Sequence, residues 1–295
     1  MQAEPSNSST IRALLADAER SLAAGPHSER AQRDVQALLL HALRELAPAT
    51  NLAWLIAHRD ETLHPGAIES FHALIDRRFA GEPIQYITGV AEFYGLTFHV
   101  DRNVLIPRPE TEHLVEKALA MAAIIPQPRI VDVGTGSGAI SVALAHKVPG
   151  AKIVATEISA PALSIAQLNA ANNNVAHRVS FIQGDLLVPV ASEQFDIVVS
   201  NPPYVPLADR DSLSVEVRCY EPSQALFAGD DGLAIFRRLI PAAFAVLASG
   251  GFVVLEIGYG QSNAINALLQ ASGFQDVGFT ADLQGIPRVA SARRP

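Results

Sequence analysis

Two short stretches of this 295-residue chain combine residue types that can do chemistry with spacings that can aim them. The first is Asn201-Pro202-Pro203-Tyr204, directly after the β-branched run FDIVVS (195–200). Two consecutive prolines cannot continue a sheet ladder, because neither has an N–H to donate, so a strand ends here. The Asn201 side-chain carbonyl and the Pro202 backbone carbonyl can each accept one N–H of an incoming NH₂ group. An amide or exocyclic amine is a poor nucleophile, its lone pair being delocalised into the adjacent π system. Two fixed acceptors orient such a nitrogen and favour its rehybridisation. Pro203 stiffens the carbonyl's direction, and Tyr204 offers a flat face to a planar amide or base. Alone, these four residues could equally be a decorated turn.

The second stretch is Asp132-Val133-Gly134-Thr135-Gly136-Ser137-Gly138, closing the apolar run that begins at Arg129. Glycines at a strand-to-helix turn let the backbone pass close to a ligand, and the helix N-terminus supplies free N–H groups. Glu157 ends the next apolar run about twenty residues later, where carboxylates accept hydrogen bonds from ribose hydroxyls. Ala139 stands where the dinucleotide fingerprint wants its last glycine, although some fingerprints allow alanine. The D-x-G-x-G-x-G spacing resembles the S-adenosylmethionine loop of class I methyltransferases. That resemblance implies S-adenosyl-L-methionine as cofactor and S-adenosyl-L-homocysteine as product. The charge of Asp132 is compatible with the cationic end of such a ligand, and Asp185 is placed to hydrogen-bond an adenine amino group. Glu157 or Asp185 alone could be an ordinary strand-end carboxylate. Together with the loop and N-P-P-Y they point to an amino-group methyltransferase that needs no strong general base, because a sulfonium is a good leaving group.

The elements that must position these residues follow from periodicity. The first eighty residues are expected to be helical throughout: Ile11, Leu14, Leu15, Ala18 and Leu22 share one face, and Val35, Leu38, Leu39, Ala42, Leu43 and Leu46 another, ending before Pro48. A further helix is expected from Pro65 to Gly81, and a β-hairpin within 82–105. From about residue 106 strands alternate with helices: RIVDVG, KIVATEI, VSFIQGD, FDIVVS and GFVVLEIG, then two short strands near 274–280 and 287–293. Pro241 is expected to kink its helix, and Ser249-Gly250-Gly251 to form a turn. The expected fold is α/β: a Rossmann-like, mostly parallel seven-stranded sheet preceded by a small all-α bundle and a hairpin linker. The domain boundaries are expected at 1–81, 82–105 and 106–295.

Composition bounds the partners. The net charge of −8 argues against tight, non-specific grip on a nucleic-acid backbone. Residues 1–80 hold eight Arg against ten Asp and Glu, about −2, which suits docking a protein. The single cysteine, Cys219, excludes an internal disulfide or a Cys-based zinc cluster, and no metal site is expected. The polar start MQAEPSNSST shows no signal peptide, and a cytoplasmic protein with no membrane partner is expected.

N-P-P-Y is shared by DNA adenine-N6 and protein glutamine-N5 methyltransferases. This chain resembles the latter, the HemK/PrmC family, over nearly its full length. The resemblance runs through Val104-Leu105-Ile106-Pro107-Arg108-Pro109-Glu110-Thr111-Glu112, the glycine loop and N-P-P-Y. It continues in Tyr220-Glu221-Pro222, Ala225-Leu226, Gly229-Asp230-Asp231-Gly232-Leu233, Asp282, Gly285 and Arg288. It implies methylation of the glutamine in a Gly-Gly-Gln motif of peptide chain release factors, modulating translation termination, with residues 1–81 docking the release factor. It also implies cofactor binding by Gly134, Thr135, Gly136, Ser137, Gly138, Glu157, Asp185, Leu186 and Asn201. Asn201, Pro202, Pro203 and Tyr204 would hold the substrate, with Asn201, Pro202 and Tyr204 as the catalytic set. Leu186 stands where the family often has an aromatic, and Glu157 where Asp is commoner. A monomer with no direct nucleic-acid partner is expected; an N6-adenine DNA methyltransferase is the alternative.

Overall fold

Runs of aliphatic and β-branched residues, too apolar to face water on either side, suit a sheet covered on both faces. A computed structural model describes residues 10–44 and 50–295 and divides the chain into two units. The first holds the chain up to Gly89 together with Ser214–Tyr220; the second holds Val90–Leu213 and Glu221–Pro295.

Helices of the first unit run over Ile11–Ala23, Ala31–Leu43, Leu52–Ala57 and Pro65–Phe79. Thr10 and Asn51 cap two of them, accepting the N–H groups of Ala13 and Trp54, and Pro65 opens the last. The apolar stripes close into one core in which Ile11, Leu14, Leu22, Val35, Leu38 and Phe71 are buried, while Leu15 and Ala42 pack partly buried against it. Leu46, Pro48 and the polar start before Thr10 lie outside the described residues. Helical spacing gave no hint of Arg78, which is only 1% exposed. Its Nε donates to Asp34 Oδ2 at 2.6 Å, and its Nη1 to Glu216 Oε1 at 2.6 Å and to the Glu82 carbonyl at 2.9 Å. Glu216 belongs to the helix Val215–Tyr220, which is too short to stand alone. The buried ion group and the bond from the Tyr220 hydroxyl to the Ala80 carbonyl secure that helix in the first unit.

Residues 86–88, expected as hairpin, instead finish a short helix, Ile84–Thr88, which Gly89 ends in the left-handed region. The hairpin itself is β1 (Val90–Phe93) and β2 (Leu96–His99), turned by Tyr94 and Gly95, both at positive φ. It belongs to the second unit: Asn169 accepts the His99 N–H at 2.7 Å and donates back to its carbonyl at 2.9 Å. The main sheet contains β3 (Arg129–Val133), β4 (Lys152–Glu157), β5 (Val179–Gln183), β6 (Phe195–Ser200), β7 (Leu247–Glu256), β8 (Gln275–Ala281) and β9 (Pro287–Arg293). Its order is β5-β4-β3-β6-β7-β9-β8, with β3 to β7 parallel and β9 antiparallel to both neighbours. Ser249-Gly250-Gly251 lies inside β7 rather than before it. The extra residues are taken up as an irregularity opposite Phe195 and Ile197, with Gly250 at positive φ. The helix Ala234–Val246 continues through Pro241. No described helix is long and apolar enough to cross a membrane.

Since β4 follows β3 on one side and β6 flanks it on the other, the carboxyl ends of β3 and β6 border the crevice where an open parallel sheet takes its ligands. Both chemical stretches begin there.

The buried Arg78 gives a test of the first unit. Asp34→Ala should cost on the order of 3 kcal/mol by stripping a partner from a desolvated cation. Removing the exposed Arg12–Asp60 pair should cost less than about 1 kcal/mol. The urea midpoint for loss of helical signal separates the two; equal small shifts would show that the Arg78 group is not structural.

Candidate active site

β3 delivers its carboxyl end into Gly134, Gly136 and Gly138, at φ 70°, 55° and 81°. A Cβ on Gly134 or Gly136 would meet nothing within 4 Å, so the loop is open on the side that a ligand would fill. At Gly138 a Cβ would come within 3.1 Å of Ala166 Cβ: this glycine serves packing against the helix Ala160–Asn172. Gly134, Thr135, Gly136 and Ser137 line a cavity of ≈ 440 Å³, and Gly138 does not. That volume is in the range of small-molecule sites.

Asp132 departs from its expected role. It is fully buried, and its Oδ2 accepts the Thr135 hydroxyl at 2.6 Å, the Ser141 hydroxyl at 2.5 Å and the Ser141 N–H at 3.2 Å. Instead of facing a cationic ligand, it ties the glycine loop to the first turn of the helix Ala139–Lys147. Burial pushes its carboxyl up to about 6 against the pull of those hydrogen bonds.

Glu157, the last residue of β4, lines the cavity with both oxygens engaged. Oε2 accepts the Gly136 N–H at 3.0 Å and Oε1 the Ser159 N–H at 2.9 Å, so the carboxylate shapes the loop as well as facing the space. Asp185 and Leu186 also line the cavity. Asp185 Oδ2 accepts from Arg238 Nη2 at 2.5 Å, a cavity-lining partner that strand-end reasoning missed. Leu186 holds φ 48°, a left-handed backbone unusual for a non-glycine and common at ligand clamps.

Asn201, Pro202 and Pro203 line the same cavity from the end of β6. Asn201 Nδ2 donates to Thr111 Oγ1 at 3.1 Å, and among the described residues nothing donates to its Oδ1. The amide is thus held with its carbonyl as the open acceptor. Tyr204 is not among the lining residues. Its ring packs against the apolar core, its hydroxyl donates to Glu256 Oε1 at 3.2 Å, and its carbonyl accepts from Gln261 Nε2 at 3.0 Å. Burial, with the Glu256 carboxylate beside it, raises the Tyr204 hydroxyl well above the ordinary phenol range. Arg108 and Thr111 of the P-R-P-E-T-E stretch and Pro222 and Ala225 of the E-P-x-x-A-L stretch complete the wall. The Arg108–Glu221 ion pair, at 2.5 Å, joins those two stretches. Local spacing could not bring together residues 113 positions apart.

Comparison with known proteins gives the same picture. Residues 13–89 match the PrmC N-terminal domain, and residues 111–218 the Methyltransferase small domain. A release factor glutamine methyltransferase of Geobacter sulfurreducens is 40% identical over 284 residues, covering 96% of each chain. One of Moorella thermoacetica is 44% identical over 264 residues, covering 90% of this chain and 91% of its own. In fold, a 16S rRNA methyltransferase of Thermus thermophilus, solved in complex with AdoMet and guanosine, superposes with a TM-score of 0.51. It is 20% identical and covers 70% of this chain and 50% of its own.

The raised carboxyl of Asp132 has a pH signature. Its folded-state value lies above the ordinary 3.8, so the stability it contributes is fully present below 3.8 and is lost as pH rises through about 6. From pH 4 to 7 the wild type should therefore lose, relative to Asp132→Asn, on the order of 3 kcal/mol. Thermal midpoints across that range check this; parallel curves would mean that Asp132 is ionised throughout.

Proposed function

This chain belongs to the release factor glutamine methyltransferase family, and we infer that it methylates the side-chain amide nitrogen N5 of the glutamine in a release factor's Gly-Gly-Gln motif, from S-adenosylmethionine, thereby modulating translation termination. The observation that carries the reading is Asn201: its Nδ2 is committed to Thr111, while its open carbonyl stands in one cavity with the Gly134–Gly136 cradle. When bound, the cofactor supplies a sulfonium-activated methyl group and leaves as S-adenosylhomocysteine.

The residues present fit that cofactor. Gly134 and Gly136 leave room along the loop, Glu157 has carboxylate lone pairs beside it for hydroxyl donors, and Leu186 offers an apolar wall next to Asp185. Asn201 Oδ1 and the Pro202 carbonyl accept the two N–H bonds of the substrate amide, orienting the nitrogen and drawing electron density toward it. Pro203 fixes the backbone on which that carbonyl sits. Tyr204 serves from behind, as a strut for the loop.

The DNA-adenine reading of N-P-P-Y gives way on family membership and on the chain's acidic balance. The first unit, with Leu52 and Ile56 exposed on one short helix, is the proposed dock for the release factor. Action as a monomer, without a nucleic-acid or membrane partner, is part of the same proposal, and the chain's acidic balance supports the absence of a nucleic-acid partner. A release factor works in the cytoplasm, which supports that location.

Two outcomes are expected. Asn201→Ala should lower kcat on a release factor roughly 10²- to 10³-fold while retaining the fold, as for loss of one polar group that serves the transition state. Mass spectrometry of the Gly-Gly-Gln peptide reads it, and near-normal turnover would remove Asn201 from the reaction. Leu52→Glu with Ile56→Glu should raise KM for an intact release factor about tenfold or more, at unchanged kcat on a short Gly-Gly-Gln peptide. An unchanged KM would place docking elsewhere.

A further inference from the structure

We infer that Gln261 is a positioning residue for the reaction: it fastens the far end of N-P-P-Y and so keeps the Pro202 carbonyl at its station. The inference rests on the glutamine-methylating reading above and adds to it a residue outside the cavity lining.

Gln261 is half-buried and caps the helix Ser262–Ala271, whose Ile265 and Leu269 are wholly buried. Its main chain is held on both sides: the N–H donates to the Gly258 carbonyl at 3.2 Å, and the carbonyl accepts the Ile265 N–H at 3.0 Å. From this fixed base the side chain joins three stretches. Nε2 donates to the Tyr204 carbonyl at 3.0 Å and to the Gly232 carbonyl at 3.3 Å, while Oε1 accepts the Gly258 N–H at 2.9 Å. The amide has one workable orientation. Turned over, its oxygen would face two carbonyl oxygens and its NH₂ would face an N–H. The three stretches also close tightly. A Cβ on Gly232, at φ 73°, would stand 2.2 Å from the Tyr204 carbonyl oxygen and 2.8 Å from Gln261 Nε2. A Cβ on Gly258 would stand 3.0 Å from Tyr204 Cδ2 and from Gln261 Oε1. Close backbone approach at both glycines is what lets one side chain reach all three.

What is held there matters to the chemistry. Neither Pro202 nor Pro203 has an N–H by which the stretch could be secured from within. The Pro203 ring fixes one torsion, and the Pro202 carbonyl needs no partner of its own once both ends of its backbone are fixed. The near end is Ser200, whose hydroxyl is bonded to the Val133 carbonyl. The far end is Tyr204. Its ring packs against the core and its hydroxyl reaches Glu256, but these hold the side chain. Gln261 holds the main chain, just before Val205 joins the 226–228 stretch through bonds of 2.9 and 3.0 Å. Without that bond, the peptide after Tyr204 can turn, and the two prolines transmit the turn to the acceptor.

The test compares two variants of the full chain, on an intact release factor and on a short Gly-Gly-Gln peptide. Gln261→Glu keeps the shape and the acceptor for Gly258 but, ionised, has no donor for the two carbonyls. Gln261→Asn is too short to reach them, and asparagine is a favoured helix cap, so the fold should survive. Both should lower kcat roughly tenfold to a hundredfold on either substrate, the scale of a misplaced reacting group, with KM for the release factor and S-adenosylhomocysteine affinity within about twofold of wild type. If one variant does not fold, the other decides. Wild-type kcat in Gln261→Glu overturns the inference, because the side chain then serves only the Gly258 turn. A loss confined to the KM of the intact release factor also overturns it, as does a parallel loss of S-adenosylhomocysteine affinity, which would mark general damage to the rim. A wild-type protein that leaves the release factor unmethylated overturns the activity itself, which is a different result.

Discussion

The Ser200 hydroxyl donates to the Val133 carbonyl at 2.7 Å, with the Ser200 side chain wholly buried, and these two residues are the last of β6 and β3. A strand's final carbonyl has no ladder partner beyond the sheet, and leaving it unpaired in an apolar interior costs about 1–3 kcal/mol. One serine satisfies it and fixes the distance between the start of the glycine loop and the start of N-P-P-Y. Everything that the site does depends on this spacing, because the acceptor for one substrate and the cradle for the other must open into the same few hundred cubic ångströms. Parallel pairing of β3 with β6 supplies the register, and the serine holds it where the ladder ends.

Around that fastening the rim is built on carboxylates turned away from solvent. Asp132 pulls the glycine loop onto its helix, Glu157 joins that loop to the turn after its own strand, Glu221 holds Arg108, and Glu256 accepts the Tyr204 hydroxyl. Each is 8% exposed or less. A carboxylate can accept several hydrogen bonds at once and donates none when ionised, which suits it to collecting loops whose backbone N–H groups would otherwise be orphaned. The desolvation cost appears as the raised carboxyls of Asp132 and Glu256. A fold selected for stability alone would replace such groups with apolar ones. Their presence here, clustered at the crevice, is what the demand for fixed loop geometry predicts.

Much of this was legible in the sequence, and the misses have a common cause. The alternation of strands and helices, the glycine loop and N-P-P-Y follow from residue type and local spacing, since a parallel sheet puts successive strand ends on one rim. Spacing does not say which way a side chain faces when both faces of a strand are buried. The charge of Asp132 was therefore read as compatible with a cationic ligand although its carboxylate is tied inward, and Tyr204 was expected at the cavity although it braces the core. Nor does local spacing contain long-range pairs. Arg78 finds Glu216 across 138 residues, and Asn201 finds Thr111 across 90, so neither the return of the 214–220 segment to the first unit nor the support of the Asn201 amide could be read from pattern.

The chemistry explains why support of this kind matters more here than a strong base would. A glutamine amide nitrogen is neutral, and it becomes nucleophilic only as its lone pair leaves conjugation. A base that removed its proton first would require an unfavourable transfer from a very weak acid. Two oriented acceptors ask for less: they stabilise the positive charge that grows on the N–H bonds as the nitrogen begins to bond to carbon, and the proton leaves afterwards. That stabilisation depends steeply on direction, so an acceptor free to rotate contributes little. Pro203 removes freedom from the backbone acceptor by its ring. Asn201 has no such ring, and it is the side chain whose amide is tied to the Thr111 hydroxyl. The rigid acceptor needs no partner and the flexible one has Thr111, as expected of a site whose catalysis lies in holding two carbonyl dipoles still.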